Sequence, residues 1–168
     1  MKRTLVVLSA VVFVVSTAFL AQGDEKKAEM KKYLPPARGK AFMKFITEVS
    51  PYQGWGEWPG HQGMKEGKSP HGAYVRIMAN PIALKAARQG EKMPHGAMIM
   101  KENYNKKKEL VALTPMYRMK GYNPEGGDWF WMKTGPDGDK IMAEGKIKGC
   151  IDCHARVKKK DWIFHPPK

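Results

Sequence analysis

The segment Cys150-Ile151-Asp152-Cys153-His154 constrains this chain more than any other stretch of its sequence. Two thiols two residues apart can bond the two vinyl groups on one edge of a porphyrin, while the adjacent imidazole lies beneath the ring and ligates its iron. The spacing Cys-x-x-Cys-His is typical of c-type haem attachment. It predicts one covalent haem c, joined through Cys150 and Cys153 and ligated by His154.

Two other interpretations of the same segment are a zinc half-site and a redox-active dithiol. A zinc site needs two further ligands at finger-like spacing, and the chain contains only these two cysteines. A thioredoxin-type dithiol needs a strand-to-helix setting and gains nothing from the adjacent histidine. Both interpretations are therefore weaker than haem attachment.

Residues 1–23 have the pattern of an export signal peptide. Lys2 and Arg3 precede the apolar stretch from Leu5 to Leu20, and Ala21-Gln22-Gly23 provides small residues for cleavage. The apolar stretch is also close to the length that spans a bilayer, so an uncleaved membrane anchor is the alternative. In both cases we expect the rest of the chain outside the cytoplasm, in the periplasm, where c-type haem is attached.

The chain is strongly basic, with 30 Lys and Arg against 16 Asp and Glu and a formal net charge of +14. Such an excess is compatible with nucleic acid, an anionic membrane or an acidic protein partner. Export argues against nucleic acid. The lysines are scattered apart from short clusters at 106–108 and 158–160, which fits a solvated basic surface. Docking to an acidic redox partner protein is the second interpretation.

The body of the chain reads mainly as strands. We expect an extended lead-in over residues 24–40, followed by one domain over residues 41–168. Predicted helices cover 40–49 and 81–88, the second with Asn80 as N-cap and Gly90 as stop, and predicted strands cover 74–79, 97–103, 109–120, 129–133 and 141–143. Pro115 predicts an edge position or a bulge in the third strand. The fold class is therefore α+β, mainly an antiparallel sheet with a few helices flanking one face, and with haem near the carboxyl end.

Several weaker segments occur in a familiar order before the haem motif, and together they resemble the cytochrome P-460 family, which includes the cytochrome c′-beta proteins. The resemblance extends from about Phe42 to Phe164. It implies a largely antiparallel β fold, often a homodimer, with a five-coordinate c-type haem that is open on its distal face. The segments are Ser69-Pro70-His71-Gly72, Asn80-Pro81, Pro94-His95-Gly96-Ala97, Gly127-Asp128-Trp129 and Cys150–His154.

The resemblance also implies alternative functions. True cytochromes P-460 carry an extra covalent bond from a lysine to the haem macrocycle and oxidise hydroxylamine, with nitric oxide as intermediate. The c′-beta members lack that bond and bind nitric oxide or carbon monoxide behind apolar distal residues. By its place in the strand after Pro94-His95-Gly96-Ala97, Lys101 matches the cross-linking lysine.

Lys101 can also be interpreted from its surroundings alone. In the predicted strand the period of two places Ala97, Ile99, Lys101 and Asn103 on one face. If the strand is buried there, the pKa of the amine is lowered and Lys101 becomes a neutral nucleophile. If the strand reaches the surface at Glu102, Lys101 extends into water. The residues leave both alternatives open.

Four further residues are weaker candidates. His71 stands where family members often place an apolar distal residue, so it can donate a hydrogen bond to an iron-bound ligand, bind the iron, or lie exposed in its turn. Arg76 is a candidate for a haem propionate, with a surface salt bridge as the alternative. Glu144 is a candidate proton acceptor for hydroxylamine oxidation. His95, in a similar Pro-His-Gly turn, is interpreted as an exposed turn residue.

The leading hypothesis is an exported monohaem enzyme that oxidises hydroxylamine, with Lys101, Glu144 and His71 as catalytic residues and an external electron acceptor. The second is a c′-beta-like protein that binds or scavenges nitric oxide. The third is an electron-transfer cytochrome with a sixth iron ligand, for which none of the twelve methionines stands out.

Overall fold

The computed structural model describes residues 34–164. The predicted signal peptide and the lead-in up to residue 33 lie outside the described residues. Within them, none of the helices is long and apolar enough to cross a membrane. The helices and strands are α1 (Gly39–Lys44), β1 (Gly56–Glu57), β2 (Lys65–Glu66), β3 (Tyr74–Ala79), α2 (Pro81–Gln89), β4 (Met98–Tyr104), β5 (Leu110–Leu113), β6 (Met116–Arg118), β7 (Trp129–Thr134), β8 (Ile141–Gly145) and α3 (Lys148–Ala155).

The strands form one antiparallel sheet, which confirms the predicted α+β fold class. β3 pairs with β4 over the whole of its length, and β7 pairs with β8. β5 and β6 follow each other in the space between β4 and β7 and pair with both of these strands. The short strands β1 and β2 both pair with the outer side of β3.

The predicted third strand, 109–120, is wrong in its continuity. It is two strands that are separated at Thr114-Pro115. Proline has no N–H to donate to the ladder, so a break at this position is what its chemistry requires. The polar groups at the break are still used, because Thr114 N donates to the Lys101 carbonyl and Met132 N donates to the Pro115 carbonyl. The break therefore interrupts the strand, while β4 and β7 stay connected through β5 and β6.

The sequence predicted helices on one face of the sheet only, and this prediction is wrong, because the helices lie on both faces. α2 and α3 pack on the face that carries Ile99 and Trp131. α1 lies on the other face, where Phe42 stacks on Tyr117 at 5.3 Å and meets Phe130 edge-on at 5.7 Å. All three rings are fully buried, and burial of an aromatic side chain of this size stabilises the fold by about 2 kcal/mol. α1 therefore shields from solvent the face of the sheet that carries Tyr117 and Phe130.

α2 is the helix that the sequence predicted best. Asn80 is its N-cap and accepts a hydrogen bond from Ala83 N at 3.0 Å. Pro81 occupies the first helical position, where its missing N–H costs nothing. Gly90 ends the helix with a left-handed φ of 67°, a conformation that glycine adopts without strain.

Candidate functional site

A cavity of about 300 Å³ lies between the sheet and α3. Its walls come from the turn before β3, from β4, from the break between β5 and β6, from β7 and from α3. The residues of this cavity that carry chemistry are His71, Lys101, Lys133, Cys150, Cys153 and His154.

α3 places the cysteines and the histidine on one wall of the cavity. Residues three and four apart share a face of a helix, so Cys150, Cys153 and His154 point the same way. Ile151 and Ala155 pack against the hydrophobic core and hold the helix on the sheet. Sequence inspection did not predict this helix. Both cysteines are free thiols, partly buried, and burial raises the pKa of Cys150.

His154 is buried and is fixed in one tautomer. Its Nδ1 lies 2.6 Å from the carbonyl oxygen of Trp162, so Nδ1–H is the donor and Nε2 keeps its lone pair. The ring packs against Trp131 at 4.5 Å and Phe164 at 5.0 Å. Burial lowers the pKa of His154, which favours the neutral imidazole that a metal requires.

The loop that supplies the Trp162 carbonyl is itself anchored by Asp161. The Asp161 carboxylate accepts from Arg118 at 3.0 Å and from Met93 N at 2.7 Å, and its carbonyl accepts from Trp129 Nε1 at 3.2 Å. Hydrogen bonds of this kind, which hold the acceptor of the histidine N–H in place, orient a metal-ligating histidine. Sequence inspection did not identify Asp161, because its partners lie 32 to 68 positions away.

Lys101 is half-buried and lines the cavity from β4, so it does not extend into bulk water as the second of the two alternatives had it. Burial lowers the pKa of Lys101 to about 8, against an ordinary value of 10.5, and the nearby Cys153 opposes part of this shift. A substantial fraction of the amine is therefore neutral near pH 8. A neutral amine is a nucleophile, whereas a protonated one is not.

His71 lines the same cavity and does not lie exposed in its turn. Its Nδ1 is 3.2 Å from Asn103 Oδ1 and 3.4 Å from Thr114 Oγ1. Burial lowers the pKa of His71 to about 3, with the positive charge of Lys101 as the second cause. The centre of its ring is 6.3 Å from the ring centre of His154, and the two ring planes are perpendicular.

Arg76 lies on the opposite face of the sheet from the cavity. In the register of β3 and β4, Arg76 faces Glu102 while Ile77 faces Lys101, so Arg76 and Lys101 point to different faces. Arg76 pairs with Glu57 at 3.2 Å and lies 3.8 Å from Glu102. Arg76 is therefore in the salt bridge that was the alternative, on the face of the sheet that does not line the cavity.

Glu144 also lies outside the cavity. Its Oε2 accepts a hydrogen bond from Gly39 N at 3.1 Å, at the first turn of α1. A carboxylate stabilises the exposed N–H groups of a helix start. Glu144 pairs with Met132, next to the cavity-facing Trp131, so strand alternation directs it to the other face. In this structure Glu144 caps α1, and the proton-acceptor role predicted for it has no geometric support.

Sequence inspection missed two cavity residues on β7. Trp131 and Lys133 both line the cavity, as strand alternation from the core residue Trp129 would have indicated. The indole Nε1 of Trp131 is buried, with no hydrogen-bond partner among the described residues. A buried donor without a partner is costly, so a polar group in the cavity would satisfy it.

The donors of the cavity fit a c-type haem. Two thiols and an imidazole with a free Nε2 occupy one wall, and apolar side chains such as Ile99 and Met116 form others. Within residues 34–164, no cluster of three or more His, Cys, Asp and Glu side chains forms a conventional metal site. The zinc interpretation therefore lacks its remaining ligands in the part of the chain that the structure describes.

Comparison with known proteins agrees with this donor set. The family model for Cytochrome P460 matches residues 52–165, a span that includes His71, Lys101 and Cys150–His154. No curated protein matches the chain. The family match covers about two thirds of the sequence, and the cavity supplies the thiols that a covalent haem needs. The chain belongs to the cytochrome P460 family and is a c-type haem cytochrome.

Proposed function

We propose that this protein is exported to the periplasm and oxidises hydroxylamine at a single haem c in the cavity. Conversion of hydroxylamine to nitric oxide releases three electrons and three protons. The observation that carries the proposal is the buried amine of Lys101, which faces the cavity close to Cys153 and has its pKa lowered to about 8. By the family resemblance, Lys101 matches the lysine that is bonded to the haem in the hydroxylamine-oxidising members.

The residues of α3 hold the cofactor in this proposal. Cys150 and Cys153 would form thioethers with the vinyl groups, and His154 Nε2 would ligate the iron while its Nδ1–H stays on the Trp162 carbonyl. The haem, when bound, supplies a Lewis-acidic centre that accepts electrons one at a time and passes them on. The polypeptide supplies orientation and a cavity with a mainly apolar lining.

Lys101 modifies the electronic properties of the haem through a covalent bond. Its neutral amine would form a carbon–nitrogen bond at the ring edge in place of a hydrogen. Formation of this bond would release two protons and two electrons, which an external two-electron oxidant such as peroxide would take up. Among the described residues no carboxylate lines the cavity, so Lys133 is the side chain that would exchange a proton with bound substrate.

Electrons leave the protein to a separate acceptor, for which we propose an acidic redox protein. The charge of the chain supports this choice, with a formal net charge of +14. Exposed lysines 158–160 follow α3, near the wall that carries the thiols. We also propose that the protein forms a homodimer, as the family resemblance implies.

Hydroxylamine-dependent reduction of a dye acceptor by the purified holoprotein tests the proposal. We expect turnover in the wild type and a shifted haem absorption band that persists after denaturation. Lys101→Ala should lose both the shift and most of the turnover. Lys133→Ala, which removes the other lysine of the cavity, should keep the shifted band. Turnover no greater than that of a haem-free Cys150→Ala, Cys153→Ala control would contradict the proposal.

A second candidate function is electron transfer without substrate oxidation. The observation in its favour is the distance of 6.3 Å between the ring centres of His71 and His154 on opposite sides of the cavity. Two axial histidines are typical of haems that carry electrons. A protein of this kind would accept and release electrons but would show no hydroxylamine-dependent dye reduction. The same assay therefore separates the two functions.

A further inference from the structure

Two imidazoles face each other across the cavity, although they come from distant parts of the chain. His154 lies on α3, and His71 lies in the turn before β3. Their ring centres are 6.3 Å apart, and the ring planes are perpendicular. No hydrogen bond joins the two rings in the described structure.

This separation is the one that two imidazoles adopt on a single metal ion. Metal–imidazole bonds are about 2 Å long, and about 1 Å separates the ligating nitrogen from the ring centre, so the centres lie about 6 Å apart. A distal histidine that only donates a hydrogen bond to a bound ligand stands further away, because the ligand atom and a hydrogen bond of about 3 Å then separate it from the metal. The measured separation leaves no room for an intervening ligand.

The hydrogen bonds leave the correct nitrogen free on each ring. In His154, Nδ1–H donates to the Trp162 carbonyl. In His71, Nδ1 contacts the amide oxygen of Asn103, which can only accept. The orientation of that amide is fixed, because its nitrogen donates to the carbonyls of Lys101 at 3.1 Å and Ala112 at 3.0 Å. Nδ1–H of His71 is therefore the donor, and Nε2 is free on both rings.

The hydrogen bond between His71 and Asn103 is of the kind that metal-ligating histidines make. A ligating imidazole donates its second N–H to a carbonyl or carboxamide oxygen, which fixes its tautomer and orientation. Asn103 is 3 % exposed and is held by two strands, since it lies on β4 and bonds to β5. Thr114 Oγ1 lies 3.4 Å from the same imidazole nitrogen and accepts from Asn103 Nδ2 at 3.0 Å.

We infer that His71 is the sixth ligand of the haem iron in the resting oxidised protein, opposite His154. The resting haem of this protein would then differ from the five-coordinate haem that the family resemblance implies. The inference rests on the proposed haem site and deepens the proposed function, because a substrate must then displace His71 to reach the iron. His71 lies in a turn between Pro70 and Gly72 and does not belong to a strand, so the strand pairing can remain intact when the imidazole leaves. His71 is thus an internal competitor that controls access to the distal face.

Electron paramagnetic resonance and absorption spectra of the ferric holoprotein test the inference. We expect a low-spin signal of the highly anisotropic kind, which perpendicular axial imidazoles produce. His71→Ala should convert it to a high-spin signal, and added imidazole should restore the low-spin signal. His95→Ala is the matched control, since it removes the histidine of the other Pro-His-Gly turn, and it should keep the wild-type spectrum. The haem content of each variant shows whether it has folded around the cofactor.

Turnover separates the inference from the proposed function. If His71 occupies the iron in about 90 % of molecules, its removal raises kcat/KM for hydroxylamine about tenfold. A low-spin wild type without turnover in either protein would support the inference and contradict the proposed function. A high-spin wild type with turnover would do the reverse. A His71→Ala protein that loads haem and stays low-spin without imidazole would also overturn the inference, since another residue would then be the ligand.

Discussion

The tripeptide Pro-His-Gly occurs twice in this protein, and the histidines of the two copies have different environments. Gly72 and Gly96, which end the two copies, have the same left-handed φ of 92°. His71 lies in the cavity beside Asn103 and Thr114. His95, as the sequence predicted, is exposed, and its Nδ1 only accepts a hydrogen bond from Lys120 N at 3.2 Å. An identical local sequence therefore does not determine whether the histidine belongs to the site.

A buried asparagine accounts for the difference between the two turns. Asn103 contacts the imidazole of the first turn and fixes its orientation. Asn80 donates to the Gly96 carbonyl of the second turn at 2.8 Å and leaves the His95 side chain free. One asparagine holds a side chain for chemistry, whereas the other holds a backbone for stability. Substitutions can separate these two roles.

The largest loss of stability is expected for Asn80→Ala. Its side chain accepts from Ala83 N at 3.0 Å and from Met98 N at 3.1 Å, in addition to holding Gly96. Loss of an N-cap and two further buried hydrogen bonds should lower the free energy of unfolding by about 3 kcal/mol. Urea denaturation measures this loss. The haem spectrum should stay that of the wild type, and a change of spin state would show that the second turn also supports the iron.

Asn103→Ala should have a smaller effect on stability and a larger one on the haem. Loss of its hydrogen bonds to two strands should lower the free energy of unfolding by about 2 kcal/mol. His71 loses its acceptor, so part of the ferric protein should become high-spin. Urea denaturation measures the loss of stability, and absorption spectra of the folded ferric protein measure the change of spin state. An unchanged spectrum would remove Asn103 from the support of His71.

The pH dependence of bond formation by Lys101 tests whether β4, which also carries Asn103, holds the Lys101 amine out of water. The pKa of Lys101 is lowered to about 8, so the neutral amine predominates above pH 8, where an ordinary lysine would still be protonated. Below this pH the neutral fraction falls about tenfold for each unit, and the rate of bond formation should fall with it. The shifted absorption band reports the reaction during reconstitution with haem. A rate that rises only near pH 10 would place Lys101 in water.

The smallest effect is expected for His95→Ala. His95 is exposed, and its single hydrogen bond joins it to an exposed backbone N–H. The change in the free energy of unfolding should be below about 0.5 kcal/mol. Thermal unfolding measures it. A loss as large as the roughly 2 kcal/mol expected for Asn103→Ala would mean that the histidine of the second turn also supports the fold.

Local sequence patterns predicted the wall of the cavity that comes from one helix. Cys150, Cys153 and His154 are four residues apart at most, so their spacing alone identified the chemistry. The helix itself was missed, because the segment has no side-chain N-cap. β3 and α2 were predicted closely, since alternation, Asn80 and Gly90 are local signals.

The cavity wall that faces α3 could not be predicted in the same detail. His71 meets Asn103 across 32 positions, and only the pairing of β3 with β4 brings them together. The roles considered for Arg76 and Glu144 depended on which face of the sheet each side chain occupies. That choice is set by strand register, which a single sequence does not provide. For Lys101 the sequence left two alternatives open, a buried amine and one that extends into water, and it could not choose between them.

Proteolytic digestion of the denatured holoprotein followed by mass spectrometry tests the central claim most directly. We expect haem to remain on the peptide that contains Cys150 and Cys153, and we expect a fraction of it to be joined to the peptide of Lys101. Haem on the cysteine peptide alone would leave the cytochrome intact and remove the lysine bond. Haem that acidified solvent extracts from the protein, with both thiols left free, would contradict covalent attachment in this cavity.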